Sequence, residues 1–222
     1  MSIQFSAYTP PIHKELDIVY QDPSLLVINK PSGLLATPGR GDDKQDCLLS
    51  RVQIEFPTAE IVHRLDMATS GLMLFAINKA MQREMSILFQ ERKIQKKYIA
   101  VVEGIIKNSE GSVDSPMITD WPNRPLQMID YESGKAALTH YTVIERDEVN
   151  ECTRIELRPV TGRTHQLRLH MQSIGHVIKG DNLYSPPSLK KMPTRLLLHA
   201  TFLEFQHPID DKSITIFSEP EF

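Results

Sequence analysis

Cysteine is nearly absent from this chain: Cys47 and Cys152 are the only two, with no C-x-x-C spacing. That excludes a disulfide framework, gives no sign of a thiolate zinc site, and fits a reducing, intracellular compartment. Long apolar runs are missing as well. None approaches the roughly 18 residues of a membrane span. The opening "MSIQFSAYTPPIHKELD" lacks the basic stretch and apolar core of a secretory signal. A cytoplasmic protein without membrane association is expected. Neither a G-x-G-x-x-G nor a Walker-type loop occurs, so no nucleotide cofactor is indicated. A basic excess, usual in nucleic-acid binders, is also lacking, since the net charge is -3.

What is present is ordinary in bulk and uneven in detail. With 222 residues, 41% hydrophobic and 24% charged, the chain can bury a substantial core. Charge is distributed in blocks. "RKIQKK" (92–97) and "RPVTGRTHQLRLH" (158–170) are basic, whereas acids gather in "GDDKQD", "ERDEVNE" and the terminal "SEPEF". A basic face on a weakly acidic protein is compatible with that pattern.

Residues 1–16 lack periodicity, contain Pro10-Pro11 and read as a loose arm. "LDIVYQD" and "SLLVINKPSG" read as short strands. "QDCLLSRVQIEF" places Leu48, Val52 and Phe56 on one helical face, with Asp46 as its N-cap. "GLMLFAIN" (71–78) is a continuous apolar strand, and 79–93 turns helical. Residues 96–104, 137–146 and 153–160 are rich in β-branched and aromatic residues and read as strands. In "THQLRLHMQSIG", Thr164 is the expected N-cap and Leu167, Met171 and Ile174 form one face. "RLLLHATFLEFQHP" and "SITIF" close the chain as strands. Strands outnumber helices and come in runs, so the fold class is α+β with a largely antiparallel sheet in one domain.

Three places carry chemistry. In "HRLDMATSG", Asp66 follows His63 and Arg64 and precedes a turn that ends at Gly71. Charged residues at a strand start commonly just face solvent. Here Thr69, Ser70 and Gly71 can instead fix a tight turn that aims a carboxylate away from the sheet. An ionised aspartate there suits a general base or a nucleophile, and Arg64 or Arg163 would favour its charge. Histidines His63, His165 and His170 raise the question of a metal. The five-residue spacing of the last two does not align them on one helix, so no metal site is expected, and capping or RNA-facing hydrogen bonds fit better. "PVTGRTHQLRLH" resembles a phosphate-handling turn. Tyr98 lies on an aliphatic strand after basic residues, as a core aromatic with a wet hydroxyl or as a ring that stacks on a base.

Together these segments resemble the RluA family of pseudouridine synthases. "HRLDMATSGLMLFA" is similar to the family's HRLD-x-x-TSG signature, and "KKYIA" to its K-x-Y-x-A segment. "VTGRTHQLRLHM" resembles the GR-[ST]-HQ-[IL]-R-x-H segment, "RLLLHA" the third-motif strand and "KPSGLLATPG" the N-K-P-x-G opening. The resemblance runs in family order from about Asp17 to the C-terminus. It implies a catalytic domain over 17–222 preceded by the arm, with no S4 RNA-binding domain. The implied fold is a mixed, mostly antiparallel central sheet with flanking helices and a central cleft. "DWPNRPLQ" (120–127) and the small size resemble the family member that modifies both a 23S ribosomal RNA uridine and a uridine of the tRNA anticodon stem-loop.

By the same resemblance no cofactor is needed and the partner is RNA, with no obligate protein partner and a monomeric state. The reaction detaches uracil from C1′, rotates it and rejoins it through C5, on a base taken out of the RNA stack. Asp66 is the implied catalytic aspartate, Arg163 its ion-pair partner, and Tyr98 the ring that stacks on the flipped uracil. Arg64 helps displace the base, and Leu198 forms part of an apolar pocket wall. His63, Lys96 and Lys97 are candidate RNA contacts. A non-enzymatic RNA-binding module would need the basic segments but not Asp66. A nucleoside or glycoside hydrolase would release free uracil.

Overall fold

The computed structural model describes residues 8–187 and 193–222; residues 1–7 of the expected arm lie outside them. In chain order the elements of the first half are β1 (Ile18–Gln21), β2 (Leu25–Lys30), a 3-10 turn (Asp42–Lys44), α1 (Leu48–Glu55), β3 (Glu60–Ile61), β4 (Ser70–Ala76), α2 (Lys79–Gln90) and β5 (Gln95–Glu103). There follow β6 (Glu110–Asp114), β7 (Met117–Thr119), β8 (Gln127–Ile129), β9 (Leu138–Asp147), β10 (Cys152–Pro159), α3 (Gln166–Ser173), β11 (Leu198–Gln206) and β12 (Ser213–Phe217). The α+β class follows directly. Among the described residues no helix is long and apolar enough to cross a membrane.

Two compact units divide the chain. One holds residues 8–96 and 199–222, the other 97–187 and 193–198. Both crossings fall inside strands, β5 and β11, so no linker composition announces them.

In the unit of 8–96 and 199–222, β4 is the central strand, and all seven of its residues are buried. On one edge it pairs antiparallel with β2 along the full register Leu25↔Ala76 to Lys30↔Gly71. On its other edge, β11 runs parallel at Ser70 and Gly71, and β3 pairs antiparallel at Phe75 and Ala76. Helix α2 begins at Asn78, whose Oδ1 accepts the Met81 N–H at 2.9 Å. Its Met81 and Met85 join Leu72, Leu74, Leu203 and Phe205 in the core. With both faces covered, the strand reads as an unbroken apolar run rather than an alternating one.

The other unit is an antiparallel sheet in the order β5-β10-β9-β6, with β7 and β8 forming a separate two-stranded hairpin. Leu169 of α3 packs with Met117, Ala137 and Ile129, so that helix and hairpin share a small core.

Three expectations need correction. The described part of the arm, residues 8–16, has no regular structure but is fastened rather than loose: Arg51 Nη2 donates to the Pro11 carbonyl at 2.7 Å, and the Tyr8 hydroxyl to that of Asp46 at 2.9 Å. Helix α1 is capped by Cys47, whose Sγ accepts the Ser50 N–H. Asp46 is occupied instead by a two-bond ion pair with the buried Arg51, 2.7 Å for each bond. Helix α3 is preceded not by a capping Thr164 but by His165 in the left-handed region (φ 57°, ψ 17°), with no side-chain cap bond.

Candidate active site

Asp66 sits half-buried at the start of a turn closed by a hydrogen bond from the Thr69 N–H to its carbonyl, 3.1 Å. The turn is clamped by the loop that follows β2. Lys30 is wholly buried, and its ammonium donates to the carbonyls of Pro31 (2.9 Å), Leu34 (2.7 Å) and Met67 (3.1 Å). Gly33 N–H reaches Met67 O at 2.8 Å, and Ser32 Oγ reaches Ala68 O at 2.7 Å. A buried ammonium is tolerable only where its protons meet acceptors, and here it joins two carbonyls of its own loop to the Met67 carbonyl of the turn that carries Asp66.

The Thr-Ser-Gly end of the motif is equally specific. Ser70 Oγ and His199 Nδ1 are 2.9 Å apart. Gly71 has φ 110°, and a Cβ there would collide with the Ala200 carbonyl. Only glycine allows β11 to approach this closely. The turn and the β11 residues His199 and Ala200 are thus two halves of one packing arrangement.

His63 takes the place of a strand residue. Its Nε2 accepts the Leu74 N–H at 2.9 Å, on the stretch of β4 edge between its pairings with β11 and β3. Accepting from an amide requires an unprotonated Nε2. Burial, with the Lys96 ammonium nearby, pushes the His63 pKa down to about 3. The ring stacks on Phe89 (centroids 4.7 Å apart), and the Lys96 ammonium lies 5.6 Å from the same ring. Burial lowers the Lys96 pKa too. His63, Phe89 and Lys96 therefore form one cluster in this unit, while Arg64 is exposed.

Lys97, Tyr98, Arg163 and Leu198 belong to the other unit. Lys97 is 3.3 Å from Glu156 Oε2. Tyr98 is half-buried on β5 opposite Leu157, and Leu198 is buried at the start of β11. Arg163 is exposed, and its Nε donates to the Ala136 carbonyl at 3.2 Å. The loop around it is fixed by Gln166, whose Oε1 accepts the Arg163 N–H (3.0 Å) and the Thr161 hydroxyl (2.8 Å). The Gln166 amide donates to Leu138 O and Thr139 Oγ1, both at 3.0 Å.

The remaining histidines have structural partners. His170 is wholly buried, lies between Thr139 Oγ1 (3.0 Å) and Ser115 O (3.1 Å), and burial depresses its pKa. His165 Nδ1 is 3.0 Å from the Tyr184 hydroxyl. Among the described residues no group of three or more His, Cys, Asp or Glu could hold a metal ion. Sequence reasoning did not assign Lys30, Phe89, Gln166 or Tyr184. Lys30 and Gln166 stand inside the recognised segments, whereas nothing in the local pattern marks Phe89 or Tyr184.

This α+β fold has a solved counterpart in Human RNA Pseudouridylate Synthase Domain Containing 1. That structure superposes with a TM-score of 0.79 at 29% identity, covering 96% of this chain and 87% of that one. The class is therefore that of RNA-modifying isomerases with a pseudouridine synthase fold. A model of RNA pseudouridylate synthase matches residues 24–173, and the chain belongs to that family. The Yersinia pestis protein named "Dual-specificity RNA pseudouridine synthase RluA" is 50% identical over 92% of this chain and 99% of its own. The protein of the same name from Escherichia coli K12 is 48% identical over 97% and 98%. The chain is an RNA pseudouridine synthase, converting uridine in RNA to its C-glycosidic isomer.

Proposed function

We propose that the chain modifies uridines in structured loops of both 23S ribosomal RNA and the tRNA anticodon stem-loop, with Asp66 acting at the ribose of a flipped-out uridine. The observation that carries this reading is the Asp66 turn, which leads into a fully buried strand and is clamped through Met67 and Ala68 by Lys30 and Ser32. Such a mount holds a carboxylate in one place while RNA is reorganised around it. Two relatives near half identity, both named dual-specificity RNA pseudouridine synthases, support the pair of RNA classes.

Asp66 attacks C1′ as a nucleophile, as a carboxylate does in retaining glycosidases, or removes the C2′ proton to give a glycal. Both routes start from the ionised form. Arg163 orients that carboxylate, Tyr98 stacks on the uracil, Arg64 displaces it from the stack, and Leu198 contributes an apolar wall. Lys96 and Lys97 contribute positive charge toward the RNA backbone. The protein works as a cytoplasmic monomer without an obligate protein partner.

Asp66→Asn keeps size and polarity and removes the charge. It should abolish tritium release from C5-labelled uridine in RNA while a filter assay still detects binding. Substantial turnover by the variant would sink the assignment. Carbodiimide primer extension on RNA from a deletion strain identifies the targets, and loss of pseudouridine from only one RNA class would remove the dual specificity.

A further inference from the structure

Arg163 stands on a loop whose far end is unusual. Two residues on, His165 is a non-glycine in the left-handed region, a conformation disfavoured for any side chain with a Cβ. Its carbonyl accepts the Leu169 N–H at 2.9 Å and so starts α3, but its side chain gives that helix no cap. The imidazole reaches outside the loop instead: the Tyr184 hydroxyl lies 3.0 Å from His165 Nδ1, the two rings meeting edge to face at 5.7 Å.

Tyr184 is itself rigidly seated. The Asp181 carboxylate accepts the Leu183 and Tyr184 N–H groups at 2.9 and 3.1 Å, and it is bound through both oxygens by Arg168, at 2.7 Å each. Arg168 is 3% exposed and Asp181 is fully buried, so this pair is shielded from solvent competition. The guanidinium also lies 5.4 Å from the Tyr184 ring centroid. The hydroxyl has a second task, because it accepts the Gln127 N–H of β8 at 2.9 Å. One oxygen therefore ties the β7–β8 hairpin to the residue that ends the Arg163 loop.

We infer that the Tyr184 hydroxyl is a positioning group for Arg163. It holds His165 in its left-handed conformation and thereby fixes one end of the loop, while Gln166 fixes the other. The inference rests on the proposed role of Arg163. Tyr184 touches no reacting atom in this scheme; it acts through the loop.

Tyr184→Phe keeps the ring on Arg168 and removes the hydroxyl. The single-turnover rate at saturating enzyme should fall about tenfold, since a small misplacement of a reacting group costs at least that much. RNA affinity should stay unchanged. His165→Asn, which tolerates the left-handed conformation but lacks the ring, should reproduce the loss, and it carries the test if Tyr184→Phe folds poorly. The decisive measurement is a double-mutant cycle with Arg163→Lys. If the hydroxyl acts through Arg163, Tyr184→Phe should slow the Arg163→Lys enzyme little further. Equal fold-losses in both backgrounds, an unchanged rate in Tyr184→Phe and His165→Asn, or a loss of RNA affinity alone would each overturn the inference. Full activity in Arg163→Ala would instead overturn the role of Arg163 itself, which separates the two failures.

Discussion

The Asp66 turn and the Arg163 loop carry the two opposite charges of the proposed chemistry, and they are held by different means. The turn is gripped through its backbone: a buried ammonium, a hydroxyl and an amide from the loop after β2 all bind its carbonyls. The loop is gripped through neutral side chains, with Gln166 on Thr161 and Arg163 and Tyr184 on His165. A backbone clamp tolerates change in most turn side chains and concentrates its demands on a few positions, here Lys30 and Gly71. A side-chain network spreads its demands over residues from Gln127 to Tyr184. The first arrangement acts on main-chain carbonyls; the second runs from side chain to side chain.

The largest effect that would break this comparison is expected at Gly71. Gly71→Ala forces a Cβ against the Ala200 carbonyl at a φ of 110° and should cost more than about 4 kcal/mol, the range of exceptional single substitutions. Urea unfolding measures it. A loss near 1 kcal/mol would mean that β11 can move away and that the turn is not rigidly backed.

A middle-sized effect belongs to the loop. Gln166→Leu fills the same buried space but leaves the Arg163 N–H, the Thr161 hydroxyl and the Leu138 carbonyl without this partner. The expected destabilisation is about 1–3 kcal/mol, with activity falling further than stability alone explains. If melting drops and single-turnover rate does not, the network supports the fold rather than Arg163.

The smallest effect at neutral pH sharpens the contrast from the other side. His63→Gln retains an acceptor for the Leu74 N–H and should change stability by about 1 kcal/mol or less at pH 7. The difference emerges in acid. His63 is held neutral in the folded state down to about pH 3, whereas the unfolded chain takes up that proton near pH 6.5. Stability is therefore lost as pH falls from about 6.5 toward 3, by at most about 1.4 kcal/mol per unit. The Gln variant should lose less over that window. Identical acid profiles would show that His63 titrates normally.

The same contrast explains what was legible in the sequence. β4, α2, β5, β9 and β10 declare themselves because each is long enough to show an apolar run or a period. The strands β3, β6, β7 and β8 escaped, and "EGSVD" of β6 buries only Val113, too little to form a pattern. Asp66 could be singled out because its turn residues are contiguous with it. The supports of Arg163 could not, since pairing Gln127, His165 and Tyr184 requires the fold. Asp46 and Thr164 both have the residue type of an N-cap, but an ion pair at the first and a left-handed histidine after the second decide the matter. His63, expected to meet RNA, has Nε2 committed to completing a sheet edge.

Lys30 has a consequence for chemical labelling. Its amine is fully buried and bound to three carbonyls, one of them in the Asp66 turn, so an acylating reagent in solution reaches it only when these contacts open. Lys79, exposed at the start of α2, reacts without any such opening. The ratio of acylation rates at the two lysines, read by mass spectrometry, is therefore a clock for the transient loosening of the contacts that hold the Asp66 turn, and it needs neither RNA nor an engineered probe.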